Sequence, residues 1–471
     1  MRFLRTKPNL VEGPIVPGLL ILAWPIIVSN LLQNLYNLAD TFWLGRVGEH
    51  AVAAISISFP IIFLFIAFGA GLTIAGTALV AHNTGARNYD MVNYIASQTL
   101  GFVGILAIIL SILGYIYCDR IVALLGPEPH VFEDAVLYLR TWFVGIPFVF
   151  GFFIFQALIK GYGDTINPMK LMLASTVLNI VLDPFLIFGW GFFPEFGVQG
   201  AAIATVVSRG AASIFGIGFL FAGTFGLKVS VSQLMPRFDT IKRLVGIGLP
   251  AAAEMSMKSV GIILMTAIVA GFGTSTLAAF GVGSRLAMVA FLPSMGLAQS
   301  ATTMVGQNLG AKQDDRAERT GYAGAAIAFG VLAAFGVGTY FFADLLAGLF
   351  LPADPAARAL TTQYIMVISF SFGFLGVLNV LSGAFRGAGK TVLAMLFAFI
   401  SLLLLRVPLA YVLSNHTPLG VNGLWWSVAI SNVVGGVLSF LWYIRGSWKQ
   451  RLVTEERPNL GPSVKMEDRP R

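Results

Sequence analysis

Runs of about 20 or more apolar residues follow one another along this chain, separated by short polar loops, and they leave it few folds to choose from. A helix satisfies each backbone N–H and C=O within its own segment, so runs of this length predict membrane-spanning helices. About twelve can be delimited: 16–44, 51–80, 91–118, 132–158, 167–190, 197–223, 241–268, 276–306, 320–348, 358–385, 391–414 and 420–446. Only 11% of the residues are charged, against about 25% in a soluble globular chain, and the mean hydropathy is +0.82. The expected fold is therefore an all-α polytopic membrane protein. The first run is too long for the apolar centre of a cleavable signal peptide. The single cysteine, Cys118, excludes an intramolecular disulfide and a CxxC metal site.

An even number of spans puts both termini on one side. Alternate loops then sort the basic residues. The side carrying Arg2, Arg5, Lys7, Arg87, Lys160, Lys170, the 224–243 region, the 311–319 loop, Arg386, Lys390 and the tail holds about 22 Lys and Arg. The other side holds about 4: Arg46, Arg120, Arg140 and Arg358. The positive-inside rule makes the basic side cytoplasmic and predicts a multi-pass protein of the plasma or inner membrane. The net charge of +8 is thus a topology signal. No basic stripe with interleaved aromatics points to nucleic acid.

The two halves repeat each other. "LAWPIIVSN" around Pro25 matches "IGLPAAAEM" around Pro250, an offset of 250 − 25 = 225. "GLTIAGTALVAHNTGARNYD" (71–90) matches "GLAQSATTMVGQNLGAKQDD" (296–315) at the same offset. "GYGDT" (161–165) matches "GAGKT" (387–391), and "GVQGAA" (197–202) matches "GVNGLW" (420–425). Six spans precede the second copy, so the copies are parallel, related by a pseudo-two-fold axis along the membrane normal. The expected organisation is an N-terminal six-helix lobe (1–223), a cytoplasmic linker (224–240), a C-terminal six-helix lobe (241–446) and a disordered cytoplasmic tail (447–471).

Against this background the intramembrane carboxylates stand out. Between Leu19 and Leu44 the only charge is Asp40. A carboxylate at the centre of a membrane helix costs roughly 2.5–3.5 kcal/mol on insertion scales. By the repeat, Asp40 aligns with Met265 (40 + 225) and Asp183 aligns near Val407, so the second lobe has neither acid. Tyr36 and Asp40 share one helix face at i, i+4, as do Asn179 and Asp183. Pro184 leaves the Ile180 carbonyl without its helical donor. With Tyr36, Asn179 and Thr205 as partners, these aspartates could hold a proton or Na⁺, or could simply bond helices together. Gln33, Asn37, Arg209, Glu254 and Lys258 are candidate substrate-cavity residues. Arg209 could serve as counter-ion or snorkel, while Glu254 and Lys258, at i, i+4, most simply neutralise each other. Arg285 and Arg406 are expected to pair with backbone carbonyls or helix ends. His82 and His416 show no metal spacing.

"GPIVPGLLILAWPIIVSNLLQNLYNLADTFWLG", "GVGSRLAMVAFLPSMGLAQSATTMVGQNLGA", "FRGAGKT" and "GVQGAAIATVVSRG" resemble the MATE family of multidrug and toxic compound extrusion transporters, over about 12–446. Asp40 together with "NIVLDP" (179–184) resembles its DinF-like branch. The resemblance implies a V-shaped pair of six-helix lobes and cation-driven efflux. It assigns the coupling cluster to Tyr36, Asp40, Asn179, Asp183 and Thr205, with possible Na⁺ at Asp40, Asn179, Asp183 and Thr205. In NorM-like relatives the C-terminal lobe carries a Glu in the seventh helix and an Asp in the tenth. Here the seventh-helix position resembles Lys258, and 358–385 contains no acid.

The expected function is a cation-coupled (H⁺ or Na⁺) antiporter exporting amphipathic, often cationic drugs or metabolites by alternating access, monomeric and without a cofactor. A flippase for a lipid or lipid-linked oligosaccharide is the alternative. An enzyme would need a catalytic set, and no HExxH or GxSxG is present.

Overall fold

The computed structural model describes residues 9–191, 193–352, 354–449 and 451–452. Arg2, Arg5 and Lys7 of the N-terminal arm, and the expected disordered stretch from 453 onward, lie outside the described residues. The first lobe is built from α1 (Ile15–Leu44), α2 (Glu49–Gly85), α3 (Tyr89–Ala123), α4 (Pro129–Gly161), α5 (Ile166–Phe188) and α6 (Val198–Ala222). The second comprises α7 (Phe238–Ala270), α8 (Thr274–Gly310), α9 (Asp314–Phe341), α10 (Ala343–Phe350), α11 (Pro355–Ser369), α12 (Phe372–Gly387), α13 (Thr391–Phe399), a π-helical stretch (Ile400–Arg406), α14 (Val407–Asn415) and α15 (Val421–Ile444). Eleven helices are long and apolar enough to span a membrane, and the bent pair α11–α12 makes up to twelve among the described residues.

The duplication is visible in the backbone. Arg87 and Lys312, 225 apart in sequence, both turn through the left-handed region, with φ of 56° and 63°. Gly197 and Gly420 open α6 and α15 with nearly identical dihedrals, φ 54°, ψ −129° and φ 51°, ψ −129°. Local caps reinforce these boundaries. The Asn88 side chain accepts from the Met91 N–H at the start of α3, and Asp164 accepts from Ile166 and Asn167 at the start of α5.

Three features differ from the sequence expectations, in the ninth span, the tenth span and the tail, and the linker between the lobes takes a definite path. The ninth span ends at Phe341, and 343–350 forms a separate short helix whose Asp344 pairs with Arg358 at 2.5 Å. The tenth span bends by 54° between Ser369 and Phe372, although no proline lies there. The 224–240 linker is an ordered strap: Gln98 of α3 donates to the Gln233 and Met235 carbonyls at 2.6 and 2.9 Å and accepts from Arg237 N at 2.7 Å. The tail is not free from residue 447. Trp448 is fully buried and stacks on Tyr443 at 4.4 Å, Lys449 pairs with Glu318 at 2.6 Å, and Arg451 pairs with Asp314 at 3.0 Å.

The hydrogen bonds between the lobes gather at one end, the end carrying the termini. His82 bonds the Gly387 carbonyl at 2.8 Å, Gln307 donates to the Gly161 carbonyl at 3.0 Å, and Thr303 donates to the Lys160 carbonyl at 3.1 Å. Asn308 and Arg316 reach the backbone of Leu10, and Arg316 also bonds the Gly13 carbonyl. Glycine makes this closeness possible. A Cβ on Gly85 would lie 1.8 Å from the Gln307 carbonyl oxygen, and one on Gly310 would lie 1.9 Å from that of His82. No hydrogen bond joins the far halves of the two lobes among the described residues, so the lobes are closed at the terminal end and unlinked at the other.

Candidate functional site

In the far half of the first lobe, α1, α5 and α6 bring their polar side chains together. Asn179 and Asp183 share a face of α5, which runs on as helix through Pro184, and Asn179 Nδ2 donates to Asp183 Oδ1 at 3.1 Å. Both are fully buried. Asp40 of α1 lies beside Asp183 and Asn179. Tyr36, one turn before Asp40, shares a hydrogen bond of 3.1 Å with Ser208 of α6, whose hydroxyl also bonds the Thr205 carbonyl.

Four buried oxygens here lack a hydrogen-bond partner: Asp40 Oδ1, Asp183 Oδ2, Asn179 Oδ1 and Thr205 Oγ1. An unpartnered buried carboxylate oxygen is expensive, and two carboxylates side by side repel unless something positive lies between them. Neither aspartate forms an ion pair among the described residues. The donor set is oxygen only, which suits a proton or a hard cation.

Arg209 sits beside this cluster without pairing to it. Its Nη2 donates to Gln33 Oε1 at 2.5 Å, Nη1 lies 3.0 Å from Met172 Sδ, and the guanidinium covers the Tyr36 and Phe152 rings at 4.6 and 5.3 Å. It is buried, so snorkelling does not describe it. Gln33 in turn donates to Asn37 at 3.2 Å, which extends the network along α1.

Glu254 and Lys258 are elsewhere, in the second lobe. Lys258 Nζ lies 3.2 Å from Glu254 Oε1. Arg386 of α12 adds a second cation, its Nη1 3.6 Å from Glu254 Oε2. Counting residues along the tenth span assigns Arg386 to a loop, and only its long side chain brings it to Glu254. The sequence places Arg406 on backbone carbonyls or helix ends. It instead bonds side chains of α15, Ser431 Oγ at 2.9 Å and Asn432 Oδ1 at 2.7 Å. The second lobe thus offers a guanidinium close to where the repeat would carry Asp183.

The MatE family model matches residues 25–185 and again 250–412. The chain belongs to the MATE family of transporters. The two matches begin 250 − 25 = 225 residues apart, the offset of the internal repeat. The chain is 27% identical over 434 residues to the probable multidrug resistance protein YoeA of Bacillus subtilis, covering 91% of this chain and 93% of that one. It is 28% identical over 437 residues to a FAD transporter of Shewanella oneidensis, covering 93% and 96%. A multidrug resistance MATE family transporter of the MOP superfamily, solved in an outward-facing conformation, superposes with a TM-score of 0.87 at 25% identity, over 94% of this chain and 99% of that one.

Proposed function

We propose that this protein is a cation-coupled antiporter that exports amphipathic small molecules across the plasma or inner membrane by alternating access, acting as a monomer with both termini cytoplasmic. The observation that carries the reading is the group of four unpartnered oxygens on α1, α5 and α6. H⁺ or Na⁺ enters from the far side and satisfies Asp40 and Asp183, with Asn179 and Thr205 as neutral ligands and Tyr36 fixing α1 against α6. Cation occupancy and substrate occupancy weaken each other, and the linkage is reciprocal: substrate lowers cation affinity by the same factor. Inward cation flow then drives outward substrate flow. The closed terminal end and unlinked far end correspond to an outward-facing state. Kinship with a protein named for multidrug resistance supports the efflux reading.

The test is efflux of a lipophilic dye from reconstituted vesicles with pH and Na⁺ gradients imposed separately. Efflux that follows either gradient supports coupling. Efflux indifferent to both, in protein shown to be folded, removes it.

A further inference from the structure

At the terminal end, the α12–α13 turn, the close of α15 and the start of the tail border a groove of about 460 Å³, lined by Gly389, Lys390, Val392, Leu393, Trp442 and Ser447. Two left-handed glycines shape it. Gly389, φ 73°, turns the chain out of α12, and Gly446, φ 68°, turns it out of α15. The main helix neighbours of α13 and α15 all belong to the second lobe, which puts the groove on the outer side of that lobe. It lies at the level where the helices end: Lys390 immediately precedes α13 and Arg445 immediately follows α15. Arg445 holds its guanidinium 5.3 Å from the centre of the Trp442 ring. Away from the groove, toward the membrane centre, both helices present exposed apolar stripes, Val392, Leu396 and Phe399 on α13 and Leu438 and Leu441 on α15.

The repeat shows what is unusual in this turn. In the first lobe the matching turn carries Asp164, whose carboxylate accepts from the Ile166 and Asn167 N–H groups at the start of α5. The second lobe has Lys390 at that position (164 + 226), and its side chain caps nothing. A helix start carries partial positive charge, which a carboxylate neutralises and an ammonium adds to. The chain around it supplies no acid: no Asp or Glu lies between Asp354 and Glu455. The α9 acids that reach the tail are taken, Glu318 by Lys449 at 2.6 Å and Asp314 by Arg451 at 3.0 Å. Lys390 and Arg445 form no ion pair among the described residues. The buried Thr391 hydroxyl, between Lys390 and Val392, also lacks a partner. Basic residues anywhere on this face serve to orient the chain. These two differ in flanking a groove that has an indole at its edge and apolar stripes leading from it.

We propose that this groove binds the phosphate of an anionic phospholipid, with Lys390 and Arg445 on the headgroup, Ser447 as a further donor, Trp442 at the glycerol level and an acyl chain along Val392, Leu396 and Phe399. Basic pockets beside membrane helices and indoles at the headgroup level are the chemistry that recognises such a lipid. The export reading supplies only the leaflet, the cytoplasmic one; binding does not depend on it.

The test is lipid titration of the delipidated full-length protein in detergent, read by native mass spectrometry, with dioleoyl phosphatidylglycerol compared with dioleoyl phosphatidylcholine. Each juxtamembrane cation favours an anionic lipid by about fivefold, so two give phosphatidylglycerol a preference of roughly 30-fold. Lys390→Gln/Arg445→Gln should abolish that preference. Lys312→Gln/Arg319→Gln removes two exposed cations outside the groove and should retain it. Equal binding of the two lipids to the wild type overturns the proposal. So does a preference that survives Lys390→Gln/Arg445→Gln, or one that is lost equally in Lys312→Gln/Arg319→Gln. If the first double variant does not fold, Ser447→Asp at its exposed position decides. It sets a carboxylate against the phosphate, and an unchanged preference there contradicts the proposal. Glycerol 3-phosphate offers the phosphate without the chains. If it displaces phosphatidylglycerol at equal concentration, the groove belongs to a soluble phosphate and the lipid assignment falls. Gradient-driven dye efflux without headgroup preference sinks this inference and leaves the export reading standing. Headgroup preference without gradient-driven efflux does the reverse.

Discussion

Substituting alanine for Gly85 or Gly310 should push the terminal ends of the lobes apart. The added Cβ would start 1.8 Å from the Gln307 carbonyl oxygen in one case and 1.9 Å from that of His82 in the other, and ordinary contact begins near 3.4 Å. Helix α2 or α8 must therefore retreat by about 1.5 Å, against backbone rather than a yielding side chain. Overpacking of this kind costs about 1–3 kcal/mol. The cost falls on the closed terminal end alone, because in a state with that end open the new methyl meets nothing across the gap. The closed-to-open ratio should then drop by roughly 5- to 150-fold. Spin labels at Tyr89 and Val392, both exposed, in a Cys118→Ser background read the opening as a longer distance population. Gly104→Ala is the control, since a Cβ there meets nothing within 4 Å. If both alanine variants keep the wild-type distance distribution and the wild-type melting behaviour, the glycine contacts do not form the seal and the reasoning is wrong.

Trp448→Ala should destabilise the second lobe by about 3–5 kcal/mol, because a fully buried indole stacked on Tyr443 is removed; truncation after residue 452 should be far milder than truncation after 446, as thermal melts of the two chains would reveal. Glu254→Gln should lower stability more than Lys258→Met, since Arg386 still neutralises Glu254 in the second variant but two cations face each other in the first. Combining Lys258→Met with Glu254→Gln should recover part of the loss in a double-mutant cycle, and simple additivity would argue against a shared cluster. Lowering the pH should shift α1 about Pro25, or shift α5, as Asp40 and Asp183 take up protons, and the Asp40→Asn/Asp183→Asn protein should occupy one position at every pH. Distances that do not change with pH in the wild type would leave direct competition for the carboxylates as the coupling route.

Local periodicity made much of this molecule legible in its sequence. Uninterrupted apolar runs located most spans to within about five residues, because their length must match the bilayer, but the ninth, expected at 320–348, runs Asp314–Phe341. The 225-residue offset aligned Arg87 with Lys312, and the structure gives both the same left-handed turn. The i, i+4 spacing put Asn179 beside Asp183 and Glu254 beside Lys258, and both pairs bond. The remainder depends on contacts between segments distant in sequence. Arg386 reaches Glu254 across 132 residues of chain, and Arg209 reaches Gln33 across 176. The 54° bend has no proline to announce it, and the π-helical stretch at 400–406, followed by Pro408, alters the register that the repeat alone would assign around Arg406. Trp448 sits in a segment whose composition reads as a polar tail, yet Tyr443 and Phe385 receive it.

Transport by Asp40→Asn under an imposed gradient tests the central claim most directly. The amide preserves the shape of the side chain but cannot alternate between charged and neutral forms or bind a cation as a carboxylate does. Reconstituted in vesicles at wild-type density, and checked to be folded, the variant should show no dye efflux driven by either a pH or a Na⁺ gradient, while dye binding in detergent persists. Gradient-driven efflux at the wild-type rate would make Asp40 structural and would contradict the account.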